Sequence, residues 1–342
     1  RLMTVLGTSA FVAKLFGRVP EGAAWLDNDD DLAPRELSSL REEVAATLER
    51  HQDSEDTAKK ALRGFRRREL LRIALSSMVG VSDIAQVGRA LTDLSRAFLE
   101  GIVTLARTPD DGIEFALIAM GRLGGAELSF GSDLDVVYVF RDVGAAENAH
   151  SVAERIVKDI TRLSEDVLFP VDLDAGLRPE GKNGPIVRSL DAYAAYYERW
   201  ALGWEAQALL RAASYVGDEA LTTDFLDMAA AYRYPKVFRE EEAREIRRIK
   251  ARVEAERLPQ GADASRHLKL GRGSLSDVEW AVQLLQLQHG HDYPDIRSAS
   301  TLEALERIED NGLLAQADVE LLREAWLLAS RIRTALALFG ES

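Results

Sequence analysis

Residues 121–135 read GRLGGAELSFGSDLD, and an apolar run, Val136-Val137-Tyr138-Val139-Phe140, follows directly. Glycines, then Ser-Asp-Leu-Asp, then a short continuous apolar stretch predict a loop feeding a buried β-strand. Side chains alternate faces along a strand, so Asp133 and Asp135 point the same way. Two carboxylates at the mouth of a buried strand repel each other unless a cation lies between them. Hard oxygen donors of this kind suit Mg²⁺, with Mn²⁺ as the alternative, alongside the phosphate oxygens of a substrate such as ATP. The stretch therefore points to metal-assisted chemistry on a nucleotide phosphate.

Such chemistry needs little covalent help from protein, because metal ions clamp the phosphates and neutralise developing charge. Two metals need a third carboxylate, expected from a neighbouring strand of the same sheet. Val171-Asp172-Leu173-Asp174 alternates apolar and acidic, as a strand with one functional face would. Asp174 is the expected third ligand and Asp172, on the same face, is the alternative. Ser132 and the amides near Gly124 and Gly125 are candidates to hold terminal phosphates. Arg178, just beyond the strand, is either a planar fork for phosphate or half of a salt bridge to an acidic neighbour.

Working outward, helix and strand interleave on both sides of the motif. An apolar run at 115–120 predicts a strand, 141–150 a polar loop, and Val152, Ile156, Ile160, Leu163 and Val167 a helical stripe ended by Phe169-Pro170. Upstream, residues 59–79 are amphipathic, and Ser82 is a reasonable N-cap for a helix carrying Val87, Leu91, Leu94, Phe98, Ile102 and Leu105. Thr108-Pro109-Asp110-Asp111-Gly112 breaks that pattern. From Ser189 onward the chain reads as helical throughout, interrupted by Lys269-Leu270-Gly271-Arg272-Gly273-Ser274. The expected architecture is mostly α with an α/β core: a helical segment over 1–108, the α/β domain over 109–215 and a helical bundle over 216–342.

Composition narrows the class. At 342 residues the chain has room for two or three domains. The 57 acidic against 43 basic side chains leave a net charge of −14, which argues against a general nucleic-acid surface. With no cysteine, disulfides, thiolate metal sites and cysteine nucleophiles are excluded. No apolar run approaches membrane-spanning length and no signal peptide is evident. The chain opens on Arg1 and closes within an apolar, helix-like stretch, which reads as an excised piece of a longer cytoplasmic protein.

Other features carry less. His289-Gly290-His291 reads as a polar turn rather than a metal site. Asp277 and Glu279 follow a glycine turn, either as an acidic pair favoured by a helix N-terminus or as a second acidic cluster facing the site. On physical grounds the first reading prevails. Tyr193, Tyr196, Tyr197, Trp200 and Trp204 lie at helical spacings and are expected to be core.

The combination of strand, glycine turn, Ser-Asp-x-Asp, strand, helix and acidic strand resembles the DNA polymerase beta-like nucleotidyltransferase superfamily. Within it, GRLGGAELSFGSDLDVVYVF, Leu177-Arg178-Pro179 with the EGKNGPIVRSLDAYAAYYERWALGWEAQALLRA that follows, and LKLGRGSLSDVEWAVQLLQLQHG are similar to the glutamine synthetase adenylyltransferase family. The resemblance implies that Asp133 and Asp135 are the metal-binding pair and Asp174 the third catalytic carboxylate. It also raises a functional role for Asp277 and Glu279, with Ser274 departing from the family's usual glycine. It implies AMP transfer from ATP to a tyrosine of glutamine synthetase, or phosphorolytic removal of that AMP as ADP. RLMTVLGTSAFVAKLF and the GSDLD variant look more like the adenylylating half of actinobacterial members. The partners implied are glutamine synthetase, a PII-type signal protein and glutamine. A catalytically silent regulatory module is the reading from another class.

Overall fold

The computed structural model describes residues 1–340 apart from 145–147, 201–202, 259–260, 262 and 264, so part of the expected 141–150 loop lies outside the described residues. Six helices come first: α1 (Leu2–Thr8), α2 (Ala10–Phe16), α3 (Asp29–Leu32), α4 (Leu37–Arg50), α5 (Glu55–Val79) and α6 (Ile84–Ala106). The mixed α/β part follows, with β1 (Ile113–Ala119), α7 (Gly121–Gly124), β2 (Leu134–Asp142), α8 (Ala149–Ser164), β3 (Leu173–Asp174), β4 (Val187–Ser189), α9 (Leu190–Trp200), α10 (Gly203–Leu209), β5 (Ala213–Gly217) and α11 (Glu219–Arg233). Helices α12 (Glu240–Arg257), α13 (Leu275–His289), α14 (Thr301–Asp310) and α15 (Gln316–Phe339) complete it.

β2 is the organising strand. Its apolar run is buried on both faces, as expected of a central strand. One edge pairs antiparallel with β1, from Ile113 opposite Asp142 to Ala119 opposite Val136. The other edge takes β3 and then β4, both parallel, and β5 closes the far side against β1. The period of two then sorts the sheet. Phe115, Leu117, Val136, Tyr138 and Phe140 face a core built with α5, α6 and α8, while Ala116, Ile118, Val137 and Val139 face Tyr193, Leu221 and Phe225 of α9 and α11. Each Val, Leu, Ile or Phe among them, fully buried, stabilises by roughly 1.5–3 kcal/mol. The sheet is thus a middle layer, and its β1–β2 end carries the glycine turn.

Local chemistry explains the boundaries. α6 starts one residue later than expected, because Asp83 and Gln86 form a reciprocal capping box at 2.8 Å each way. The Ser82 hydroxyl instead pairs with Ser76 at 2.7 Å. α8 stops at Ser164, leaving Val167 outside the stripe and 86% exposed. Trp200 is exposed as well, so only part of the aromatic cluster is core. The stretch read as helical from Ser189 contains a strand. β5 pairs with β1, and the expected boundary between 215 and 216 falls inside it. The 1–108 helices share one core with the sheet, and the Ser9 hydroxyl donates to the Leu338 carbonyl, tying α2 to the end of α15. Helices α13 to α15 have their own core around Trp326. No helix among the described residues is long and apolar enough to cross a membrane.

Candidate active site

The acidic residues meet through backbone register. β2 and β3 run parallel with Leu134 beside Leu173 and Asp135 beside Asp174. The Leu134 N–H donates to the Asp172 carbonyl at 2.7 Å, extending the ladder by one step toward Asp133. In a parallel pair residues in register share a face. Asp133, Asp135, Asp172 and Asp174 therefore form a block of four carboxylates at one strand end. Sequence reasoning posed Asp174 and Asp172 as alternatives, and the register puts both there.

The electrostatics agree with that placement. Burial, reinforced by the neighbouring Asp174 charge, pushes the Asp135 carboxyl up to about 6, against the pull of Lys269. Asp133 is raised by burial and then by Asp172, with Lys269 and Arg333 opposing. Asp174 is fixed by its own turn, its Oδ1 accepting the Gly176 N–H at 2.7 Å. Among the described residues no three His, Cys, Asp or Glu side chains converge tightly enough to hold a metal as they stand. The donor set still suits a hard divalent cation, being all oxygen and anionic.

Gly121 is the residue that sequence reasoning missed. It has φ +51°, and a Cβ there would stand 2.2 Å from Asp135 Oδ2. Glycine is required both for the left-handed backbone and for the room that the carboxylate occupies. The turn ends on Ala126, also left-handed at φ +55°, and is closed by the Glu127 N–H donating to the Arg122 carbonyl at 2.9 Å.

The glycine pair is used differently from the expectation. The Gly124 N–H donates to Met120 O at 2.8 Å and the Gly125 N–H to Gly121 O at 3.2 Å, so both amides are committed inside the turn. A Cβ on Gly124 would stand 1.8 Å from the Arg211 carbonyl oxygen, and one on Gly125 2.3 Å from the Arg211 guanidinium. Their lack of side chains admits Arg211, not phosphate. Ser132 remains at the mouth, half-buried, with its hydroxyl 2.9 Å from that of Ser129 and accepting the Ser129 N–H at 3.1 Å. Arg178 meets neither reading. Buried, it donates to the carbonyls of Ala175 (2.7 Å), Gly184 (3.0 and 3.1 Å) and Lys182 (3.2 Å), stapling the loop after β3.

Behind the turn lies a buried ionic knot. Arg211 Nε donates to Gly121 O at 2.9 Å, one Nη to Glu127 at 2.6 Å and the other to the Thr301 hydroxyl at 2.6 Å. Glu127 also accepts the Thr301 N–H and hydroxyl at the start of α14. The turn beside Asp135 is thereby locked to the helical part. On α13, Asp277 pairs with Lys250 and accepts the Gly273 N–H at 2.6 Å, as a local structural acid. Glu279 instead approaches Arg122 at 3.6 Å, turned toward the turn. His289 sits edge-on to Tyr293, and His291 is exposed beyond the helix.

A family model described as glutamate-ammonia ligase adenylyltransferase matches residues 1–228, and one described as GlnD PII-uridylyltransferase matches 240–342. The chain is similar to the bifunctional glutamine synthetase adenylyltransferase/adenylyl-removing enzyme of Leifsonia xyli, 54% identical over 99% of this chain and 34% of that protein. The proteins of the same description from Mycobacterium leprae and Mycobacterium tuberculosis are 48% and 47% identical, each over 99% of this chain and 35% of theirs. The chain thus spans about a third of the length of these curated relatives. It belongs to the glutamate-ammonia ligase adenylyltransferase family.

Proposed function

We propose that this chain carries a nucleotidyltransferase site that moves AMP between ATP and a tyrosine of glutamine synthetase, in the adenylylating direction. The observation that carries the reading is the in-register block of Asp133, Asp135, Asp172 and Asp174 beside the Gly121 turn. Family membership and the names of its relatives support the substrate.

In this reading Asp133, Asp135 and Asp174 would hold divalent metal, Mg²⁺ by preference, with Asp172 adding negative potential beside Asp133. Metal bound there supplies charge neutralisation at the phosphates and a more acidic attacking hydroxyl. The chain's residues do the rest. Gly121 leaves room for the Asp135 carboxylate, and Gly176 fixes that of Asp174. Ser132 offers a hydroxyl at the mouth for a terminal phosphate. An incoming tyrosine hydroxyl would lose its proton to a carboxylate of the block. The phenol oxygen forms the new bond to the α-phosphorus, and pyrophosphate departs with the electrons of the broken P–O bond. PII-type signal protein and glutamine are proposed regulators, and the 240–342 match supports a regulatory connection.

Asp135→Asn and Asp133→Asn should abolish ATP-dependent labelling of glutamine synthetase while the circular dichroism spectrum is retained. Full labelling by either variant would sink the proposal. Incubation with AMP-modified glutamine synthetase, phosphate and Mg²⁺ separates the directions: ADP release without forward transfer would reassign the site to removal.

A further inference from the structure

A second group of charges lies where α13 and α15 meet the glycine turn. Arg122 comes from α7, Glu279 from α13 and Arg333 from α15. Arg122 Nε donates to the Glu127 carbonyl at 2.8 Å, and its guanidinium lies 5.6 Å from the ring centre of Trp326. Its other end reaches Glu279 only at 3.6 Å, beyond hydrogen-bond distance. Arg122 Nη1, Glu279 Oε1 and Arg333 Nη1 are all buried atoms without a hydrogen-bond partner among the described residues. So are the hydroxyls of Ser276, one helical turn from Glu279, and of Ser330 and Thr334, which flank Arg333 on α15.

Buried polar atoms are normally satisfied, and a run of orphans at one seam calls for a missing partner. Glu279 is the carboxylate that Arg122 approaches, and Arg333 forms no ion pair among the described residues. Burial and the neighbouring Arg122 both press on the charge of Arg333, with Glu279 and Asp133 opposing. The surplus is positive, its unused atoms are mostly N–H and O–H donors, and it lies within electrostatic reach of Asp133. A small, multiply charged acceptor satisfies that set, and guanidinium forks favour phosphate.

We infer that Arg122 and Arg333 form an oxyanion subsite for a phosphate group at the seam between the α/β core and the last helices. The inference rests on the nucleotidyltransferase reading for its occupant, which is either the β- and γ-phosphates of a nucleoside triphosphate or free inorganic phosphate. Glu279 competes with that anion for Arg122 and so limits its affinity.

Calorimetric titration of the whole chain with pyrophosphate, orthophosphate and ATP, in the presence of a metal chelator, tests this. Arg333→Gln should weaken every anion that binds by about tenfold or more, the loss expected for a charge-assisted hydrogen bond. Glu279→Gln should tighten them several-fold, a change that misfolding does not produce. Pyrophosphate binding at least about tenfold tighter than orthophosphate assigns the subsite to the nucleotide tail, and equal binding assigns it to free phosphate. The inference is overturned if wild type binds none of the anions, or if Arg333→Gln and Glu279→Gln leave binding unchanged. Anion binding that responds to both variants in a chain that transfers no AMP would keep the subsite and remove the proposed reaction.

Discussion

Asp135→Asn should make the metal-free protein more stable and catalytically dead. The Asp135 carboxyl is buried beside Asp174, which lifts it from 3.8 to about 6. A folded-state value above the unfolded one means that the stabilising share is fully present below about pH 3.8 and is lost as pH rises through 6. Above that, keeping the ionised group folded costs about 3 kcal/mol, or about 2 once its partial exposure to water is allowed for. Asparagine cannot ionise and has the same shape, so the substitution removes this cost. Urea unfolding in chelator should show a gain of about 2 kcal/mol at pH 8, shrinking toward zero at pH 4. A divalent cation should restore wild type and leave the variant unmoved. No gain at pH 8, or an equal gain at both pH values, would refute the reasoning, because the effect would then come from packing and not from ionisation.

Two further outcomes follow from the turn. Gly121→Ala forces a side chain into left-handed backbone, at about 1–2 kcal/mol, and drives its Cβ toward Asp135 Oδ2. AMP labelling should fall at least about a hundredfold, by analogy with the loss from a misplaced reacting group, while circular dichroism stays native. Glu127→Leu leaves Arg211 buried without its carboxylate and should cost about 3–5 kcal/mol in urea unfolding. Arg211→Leu combined with Glu127→Leu should recover most of that loss, and the four variants of this cycle measure it.

The site was legible to the extent that its signals were local. Asp133 and Asp135 stood out because one short segment contains the turn, the carboxylates and the buried strand. Asp174 was readable from alternation within four residues, although only strand register shows that Asp172 stands beside Asp133. The glycine pair misled because Gly-Gly signals close backbone approach without saying what approaches. Here it is Arg211, some 86 residues further on. Arg211, Glu127 and Thr301 were invisible for the same reason, since the Glu127–Thr301 bond spans 174 residues. β5 was lost because Ala-Ser-Tyr-Val-Gly offers little alternation and lies between helices, so only its pairing with β1 makes it a strand. Arg178 was noticed for its fork, but its partners are backbone carbonyls, which residue types do not announce.

The turn at Asp174 has a spectroscopic consequence. Its carboxylate oxygen accepts the Gly176 amide proton at 2.7 Å, so that proton senses whatever the carboxylate does. A ligand that draws the oxygen away should move the Gly176 amide upfield. Glycine amide nitrogens resonate apart from most others, which makes this one cross-peak a local indicator of when the acidic block fills. It can be followed during titration without touching any residue that does chemistry.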